Sequence, residues 1–492
     1  MDLPERTPVL VGVGQILNRI EDLDDALEPL EMMWQATQAA ARDCGLEGHL
    51  SQVQSVRVIR GIWPYQNPAA ALAQRMGAVG AETVGTLIGG NQNQAMINET
   101  SLEILHDGLD LVLITGAENG NSASKARRNG IPLQYSEAKG NYDKVVGAEQ
   151  QPEHHRYEVA KGINRAIQVY PMYDNAIRHY RGESMDAHIT RVSELWSRFN
   201  DVAQTNPNAW VQHNMSAEEI RTPTASNRPI SFPYTKFMNA NMSVNMGASL
   251  LMASAQKAYE LGIPREKWVY PLAGVKGYDH FSASVREEFY TSPGIRKVGQ
   301  KLLEMTDTEV NDLNYVDLYS CFPSAVQVAA AEYGLSEERP LTVTGGLTFG
   351  GGPLNNYVMH SIARTVELLR ETPNGKGLVT ANGGNIYKHV HGLYGSEPPS
   401  RPFSFASVQD EIDALPSRTV LGSYTGDGWI EGYTVMYDGF NPSIGHIACR
   451  TTDGDRTWAN IADQDTLQGM TKEEFCGRPI RLSHDGQVEV LA

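Results

Sequence analysis

The stretch GTLIGGNQNQAMINETSLEILHDGLDLVLITGAENG, Gly85–Gly120, reads as a short apolar strand, a Gly-Gly turn, an amphipathic helix and a second strand. A turn that opens a helix presents backbone N–H groups with no intrahelical partner. Such a platform suits an anion or a reacting carbonyl. Yet the turn, Gly89, Gly90, Asn91, Gln92, Asn93 and Gln94, carries no nucleophile. The same order returns at Leu341–Asn385, LTVTGGLTFGGGPLNNYVMHSIARTVELLRETPNGKGLVTANGGN: strand, Gly-Gly turn, helix, strand, Gly turn. Two copies of one pattern predict two similar αβ halves facing one another.

Either side of the first copy the pattern remains αβ. PVLVGVGQ (8–15) reads as a buried strand, Leu30–Asp43 as a helix and Val56–Ile62 as a strand. From about Asn119 to Asn227 charged and aromatic residues rise and strand signals fall. This length without strands argues for an inserted, largely helical loop domain. Residues 227–263 return to the core pattern, with a loop and then a helix of small residues over Met246–Leu261. After the Pro/Ser-rich SEPPSRPFSFASVQ, strands at short spacing follow: TVLGSY, GWIEGYTVMYD, SIGHIACRTT, RTWANI, RPIRLSHD and QVEVLA. Their Gly-Asp and Asp-Gly turns predict a small antiparallel β-barrel of OB type, with a docking or lid role. The expected domains are 1–118 with 228–270, 119–227, 271–400 and 401–492.

The chain of 492 residues is too long for one ordinary core. A net charge of −17 argues against nucleic acid as a partner, since phosphate repels such a surface on average. No apolar run approaches a membrane span, and the start, MDLPERTPVLVGVGQ, is not a signal peptide. Cys44, Cys321, Cys449 and Cys476 are scattered without pairing or metal spacing, which fits a reducing cytoplasm and no structural zinc.

The duplicated halves, the intervening loop domain and the helix QAMINETSLEILHDGLDLVLITGAE resemble the thiolase superfamily, most closely its sterol-carrier-type, thiolase-like branch. The resemblance covers about residues 6–400, and the C-terminal barrel is similar to that of bacterial thiolase-like acetyl-CoA acetyltransferases. It implies an α/β fold: duplicated thiolase-fold halves, an inserted helical loop domain and a C-terminal small β-barrel. It also implies coenzyme A as substrate or product, no permanently bound cofactor, and a homodimer. In the family a nucleophilic Cys follows the first Gly turn; counting back from GAE (Gly116–Glu118) puts that position at Gly90 or next to it. The His-Asp-Cys-Phe of the second loop reads YSCF here, so Tyr319 and Ser320 replace the His and Asp while Cys321 and Phe322 remain. In the third loop GGP puts Gly352 at the activating His, and in the fourth ANGG puts Asn382 at the second Cys. The platform for a thioester is kept and the ordinary charge relay is not.

Three activities then compete. The first is an acyltransferase with Cys321 as nucleophile, which needs a cation, a His or helix-terminus amides to lower its pKa; the alternative is a buried structural Cys in CFPSAVQVAAA. His389 or His391, in NIYKHVHGLYG, is the candidate base. Their HxH spacing places both rings on one strand face, a pattern also seen at metals, but no third ligand is evident. Gly90, Asn93, Asn382 and Gly383 are the candidate oxyanion donors. The second is an aldol-type C–C lyase with Tyr319 as acid/base, as in thiolase-like steroid aldolases, whose partner is also an OB-type protein. The third is a non-catalytic acyl-CoA or lipid-binding protein that kept the cavity.

Overall fold

The computed structural model describes residues 3–147, 152–483 and 486–491. In the first half the strands are β1 (Pro8–Leu17), β2 (Ser55–Val58), β3 (Glu82–Thr86), β4 (Leu111–Asn119) and β5 (Lys144–Val146). They alternate with α1 (Pro29–Cys44), α2 (Pro68–Met76) and α3 (Gln92–His106). The insert contributes α4 (Gly120–Asn129), α5 (Arg156–Val159), α6 (Ala166–Arg181), α7 (Met185–Thr205) and α8 (Ala217–Arg221). It is helical, as its composition predicts, except for β5, which adds to the open edge of β3. The chain continues through β6 (Pro229–Ser231), β7 (Tyr234–Thr235), β8 (Asn245–Ser254) and α9 (Ala255–Glu260). The helix expected over Met246–Leu261 is therefore mostly strand. All ten residues of β8 are buried, because β1 and β4 pair with its two edges and α1 and α12 pack on its two faces. A strand buried on both faces loses the alternation that would distinguish it from a helix of small residues.

The second half runs β9 (Tyr270–Tyr278), α10 (Pro293–Met305), β10 (Tyr315–Asp317), α11 (Pro323–Tyr333), α12 (Tyr357–Arg370), β11 (Lys376–Gly383), β12 (Lys388–Gly395) and β13 (Ser404–Ser407). The duplication is explicit in the sheets. The first has the order β1-β8-β4-β2-β3-β5 and the second β10-β11-β12-β9-β13. In one, β1–β8 and β8–β4 are antiparallel and β4–β2 parallel; in the other, β9–β12 and β12–β11 are antiparallel and β11–β10 parallel. The strand expected at LTVT, Leu341–Thr344, is irregular although it lies beside β10, where Leu318 N–H donates to the Leu341 carbonyl at 2.9 Å. The buried Asp317 carboxylate accepts from the Val343 amide and the Thr342 hydroxyl, each at 2.9 Å, and bends the segment out of ladder geometry.

Helices α3 and α12 lie between the two sheets: α3 packs on β9, β11 and β12, and α12 on β1 and β8. Helices α1 and α2 cover the outer face of the first sheet and α10 that of the second. Because α3 is central, its polar residues are buried and must find partners. Gln94, for example, accepts from the Tyr394 hydroxyl at 2.7 Å and donates to Asn98 at 2.9 Å. Its N-terminus is thereby carried to the ends of β10 and β11, where the loops of both halves meet.

The C-terminal unit has β14 (Gly426–Asp438), β15 (Asn441–Thr451), β16 (Arg456–Ile461), β17 (Pro479–Leu482) and β18 (Val488–Val490) in the order β16-β15-β14-β17-β18, with β6 added on β14. The strand expected at TVLGSY is reduced to one bridge, Val420 with Arg456. Buried arginines fasten this unit. Arg456 donates to the carbonyls of Ala283 at 2.8 Å and Ser284 at 3.0 Å, and Arg178 on α6 pairs with Glu474 at 2.8 Å and bonds the Tyr433 hydroxyl at 2.9 Å.

Candidate active site

The fold brings the four expected loops together. Gly90 sits at the N-terminus of α3, and its N–H has no partner among the described residues. A Cβ placed on Gly90 would lie 2.4 Å from Tyr319 Oη and 2.5 Å from the Asn382 carbonyl oxygen. The tyrosine hydroxyl of the second loop thus fills the space that a side chain on the first loop would need. The third loop locks the first in place: Asn355 Oδ1 accepts from Gly89 N–H at 3.1 Å, and Asn355 Nδ2 donates to the Arg60 carbonyl at 2.7 Å.

Tyr319 is partly buried, its N–H donates to Thr380 Oγ1 at 2.8 Å, and its ring packs edge-on against Tyr357. Burial first, and neighbouring Cys321 second, push its phenol above the usual tyrosine range, so it is neutral and a proton donor at neutral pH. Asn382, at the end of β11, donates to Tyr170 Oη at 3.1 Å, while its Oδ1 is buried without a partner. Tyr319, Asn382, His389 and His391 line one small cavity of about 10 Å³. His389 Nε2 lies 3.2 Å from Asp279 Oδ2 and 3.3 Å from Ser292 Oγ. His391 Nδ1 is 2.7 Å from Tyr333 Oη, and desolvation holds this imidazole well below its ordinary pKa, hence neutral.

Cys321 stands just before α11, where burial outweighs the Tyr170 hydroxyl and the backbone amides of Cys321 and Phe322, which favour its thiolate. The net effect pushes the buried thiol up to about 12. His389 is engaged by Asp279 and Ser292 instead of Cys321. Asn93 is also diverted from the expected oxyanion role: its Nδ2 donates to the Asn355 carbonyl, which ties the first loop to the third. Gly383 faces Asn91, whose Oδ1 would sit 2.3 Å from a Cβ there. Gly352 lies on the far side of the third loop, its N–H donating to the Asn241 carbonyl at 2.9 Å. The HxH pair acquires no third ligand: among the described residues no group of three His, Cys, Asp or Glu could hold a metal.

Next to Gly352 and Cys321 opens a cleft of about 680 Å³, lined in part by Arg228, Lys236, Phe237, Asn241, Met242 and Phe349. Its wall is bonded to both loops, since Ala240 N–H donates to the Cys321 carbonyl at 3.1 Å and Gly352 to Asn241. Arg228 and Lys236 are exposed and form no ion pair among the described residues. Sequence reading missed these cations, and also Tyr170 and Asp279, whose partners Asn382 and His389 lie far along the chain. Only the unusual density of aromatics in the insert hinted at Tyr170.

Comparison with known proteins fits this geometry. Residues 407–487 match the family described as the thiolase-like protein type 1 additional C-terminal domain. A monomeric SCP2-thiolase-like protein type 1 from Mycobacterium smegmatis is 32% identical, each chain covering 99% of the other, with a TM-score of 0.84. The chain belongs to the SCP2-thiolase-like family. An Ltp2–ChsH2(DUF35) aldolase shares the fold at 20% identity, over 80% of this chain and 98% of its own, with a TM-score of 0.60. The dimeric peroxisomal thiolase of Saccharomyces cerevisiae does so at 13% identity, over 80% and 98%, with a TM-score of 0.58. No curated protein matches the sequence. The homodimer expected of this SCP2-thiolase-like chain finds no support in its 32%-identical relative, which is described as monomeric. No helix among the described residues is long and apolar enough to cross a membrane.

Proposed function

We propose that this SCP2-thiolase-like protein is a CoA-thioester enzyme that works by acid–base chemistry next to a carbonyl, as an aldol-type C–C lyase, and not by acyl transfer to a cysteine. The observation that carries this reading is the Tyr319 hydroxyl standing in the space before Gly90. A proton carrier occupies the nucleophile's place. The unpartnered Gly90 N–H and the α3 N-terminus supply donors for a thioester oxygen that becomes an enolate oxygen when the bond breaks. The cleft beside Gly352 suits an elongated anionic ligand, with apolar walls for the pantetheine arm and Arg228 and Lys236 for phosphates. In the reaction the neutral Tyr319 gives up its own phenol proton as its Oη takes that of a 3-hydroxyl, the Cα–Cβ bond cleaves to a carbonyl and an acyl-CoA enolate, and a proton returns through Tyr319 to the α carbon. The protein acts as a monomer in the cytoplasm.

Acyl transfer through Cys321 is the weaker alternative, because its thiol stays protonated. A non-catalytic acyl-CoA binder is the stronger rival, since the cavity beside Tyr319 is only about 10 Å³ in the absence of ligand. The test is turnover of a 3-hydroxyacyl-CoA panel and of 3-ketoacyl-CoA with CoA, by wild type, Tyr319→Phe and Cys321→Ala. Cleavage of a 3-hydroxyacyl-CoA that survives in Cys321→Ala and falls at least about 100-fold in Tyr319→Phe is the expected result. CoA binding without any turnover supports the binder, and thiolysis lost in Cys321→Ala supports acyl transfer.

A further inference from the structure

A neutral phenol is a poor base unless its own proton has somewhere to go. The cavity beside Tyr319 contains that destination. His389 is 1% exposed, and its Nε2 faces Asp279 Oδ2 at 3.2 Å. Asp279 accepts from Gly294 N–H at 2.7 Å and from the Ser292 hydroxyl, and Arg286 Nη2 stands at 3.5 Å. Despite burial these partners hold its carboxyl down to about 2, so it is ionised. An ionised carboxylate at Nε2 keeps the imidazole proton there and leaves Nδ1 as a basic lone pair. Among the described residues His389 Nδ1 and Asn382 Oδ1 are both buried without a partner, on residues that line the same cavity as Tyr319. Two buried acceptors left bare would cost about 1–3 kcal/mol each. A volume of about 10 Å³ admits about one water. A water placed there would have these two acceptors to donate to, with Tyr319 on the same cavity wall as a donor.

We infer that Asp279, His389, one buried water and Tyr319 form a proton relay, with His389 as the terminal base and Asp279 as its positioning residue. The relay deepens the lyase reading and rests on it. As Tyr319 takes the substrate hydroxyl proton, it passes its own to the water, and the water passes one to His389 Nδ1. The imidazolium is held by Asp279, and the same path in reverse returns a proton through Tyr319 to the enolate carbon, so nothing is consumed. Asp279, with Arg286 behind it, is the charged group that faces His389 most closely. Glu332 is one step away, accepting from Ser292 N–H at 2.7 Å, and His391, with its ring 6.1 Å off, is neutral and tied to Tyr333.

The test uses the full chain with ¹⁵N-histidine and 3-fluorotyrosine at position 319. In wild type the ¹⁵N spectrum should show His389 protonated at Nε2 and bare at Nδ1. The ¹⁹F resonance at 319 should move with the protonation of His389, and this response should vanish in His389→Gln. A proton on Nδ1, or a ¹⁹F signal indifferent to His389→Gln, overturns the relay. Both readouts are independent of turnover, so a failed relay and a failed lyase are told apart, and the tautomer measurement needs no variant to fold. If substrate is turned over, His389→Gln should lower kcat about 10²–10³-fold with KM little changed. Asp279→Asn should shift the proton toward Nδ1; a purely structural Asp279 would leave the tautomer alone.

Discussion

Replacing Gly90 by alanine should destabilise the protein, because the place of the lost nucleophile is already occupied. The new Cβ would meet Tyr319 Oη at 2.4 Å and the Asn382 carbonyl oxygen at 2.5 Å. Comfortable contact needs about 3.5 Å, so each overlap is about 1 Å. The carbonyl belongs to β11, which is paired along its length with β12 and cannot retreat. The tyrosine ring can tilt, but its backbone is held by Thr380 and its face by Tyr357. Overpacking of this kind costs about 1–3 kcal/mol, and an immovable backbone partner places Gly90→Ala in the upper half. The lower unfolded-state entropy of alanine returns about 0.5 kcal/mol, leaving a net loss of about 2 kcal/mol. Tyr319→Phe removes the 2.4 Å overlap and leaves the ring's Cζ at 3.0 Å, so the double variant should recover up to about 1 kcal/mol relative to the sum of the singles. Gly352→Ala is the control: its Cβ meets only carbonyl oxygens at 3.2 and 3.3 Å and should cost under about 1 kcal/mol. Urea denaturation followed by tryptophan fluorescence measures all four. If Gly90→Ala is as stable as wild type, or the cycle is strictly additive, the hydroxyl of Tyr319 does not occupy the nucleophile's space.

Further outcomes are equally specific. Native Cys321 should react with iodoacetamide at pH 7.5 at least about 10³-fold more slowly than a free cysteine, as a thiol near 12 and buried requires; mass spectrometry of the labelled peptide reads it. Arg228→Ala and Lys236→Ala should each weaken CoA binding about 5–30-fold by calorimetry, with a reduced salt dependence, because each removes a charge from the cleft wall. The Asp279 carboxyl lies near 2 in the folded chain and is ordinarily 3.8. Its contribution of about 2 kcal/mol is therefore complete above pH 4 and disappears as pH falls toward 2. Acid titration of wild type against Asp279→Asn should show a stability gap at pH 6 that closes by pH 2.

Much of this architecture is written in local pattern. The β3–α3–β4 passage announces itself through apolar strands around a double glycine, and its echo at α12–β11 reveals the duplication. Given the family resemblance, counting back from Gly116–Glu118 puts the nucleophile's position at Gly90 or next to it. What failed did so where tertiary context decides. NMGASLLMAS is strand because β1 and β4 take both its edges while α1 and α12 cover both its faces, and LTVT bends because a single aspartate, Asp317, collects its polar groups. Composition gives no depth for Cys321; its burial, which pushes the thiol up to about 12, is visible only in the fold. Asp279 was invisible, 110 residues before His389 and in a stretch, GVKGYDHF, without any motif. Asn93 was assigned by residue type, but the third loop had a prior claim on it.

The central claim is that Tyr319, and not a cysteine, moves the proton beside a thioester carbonyl. Hydrogen–deuterium exchange at the α carbon of a saturated acyl-CoA, followed by ¹H NMR in deuterated buffer, tests it without knowledge of the true substrate. Exchange catalysed by wild type and Cys321→Ala but abolished in Tyr319→Phe is the predicted result. Exchange that persists in Tyr319→Phe, or that is lost in Cys321→Ala, would contradict it.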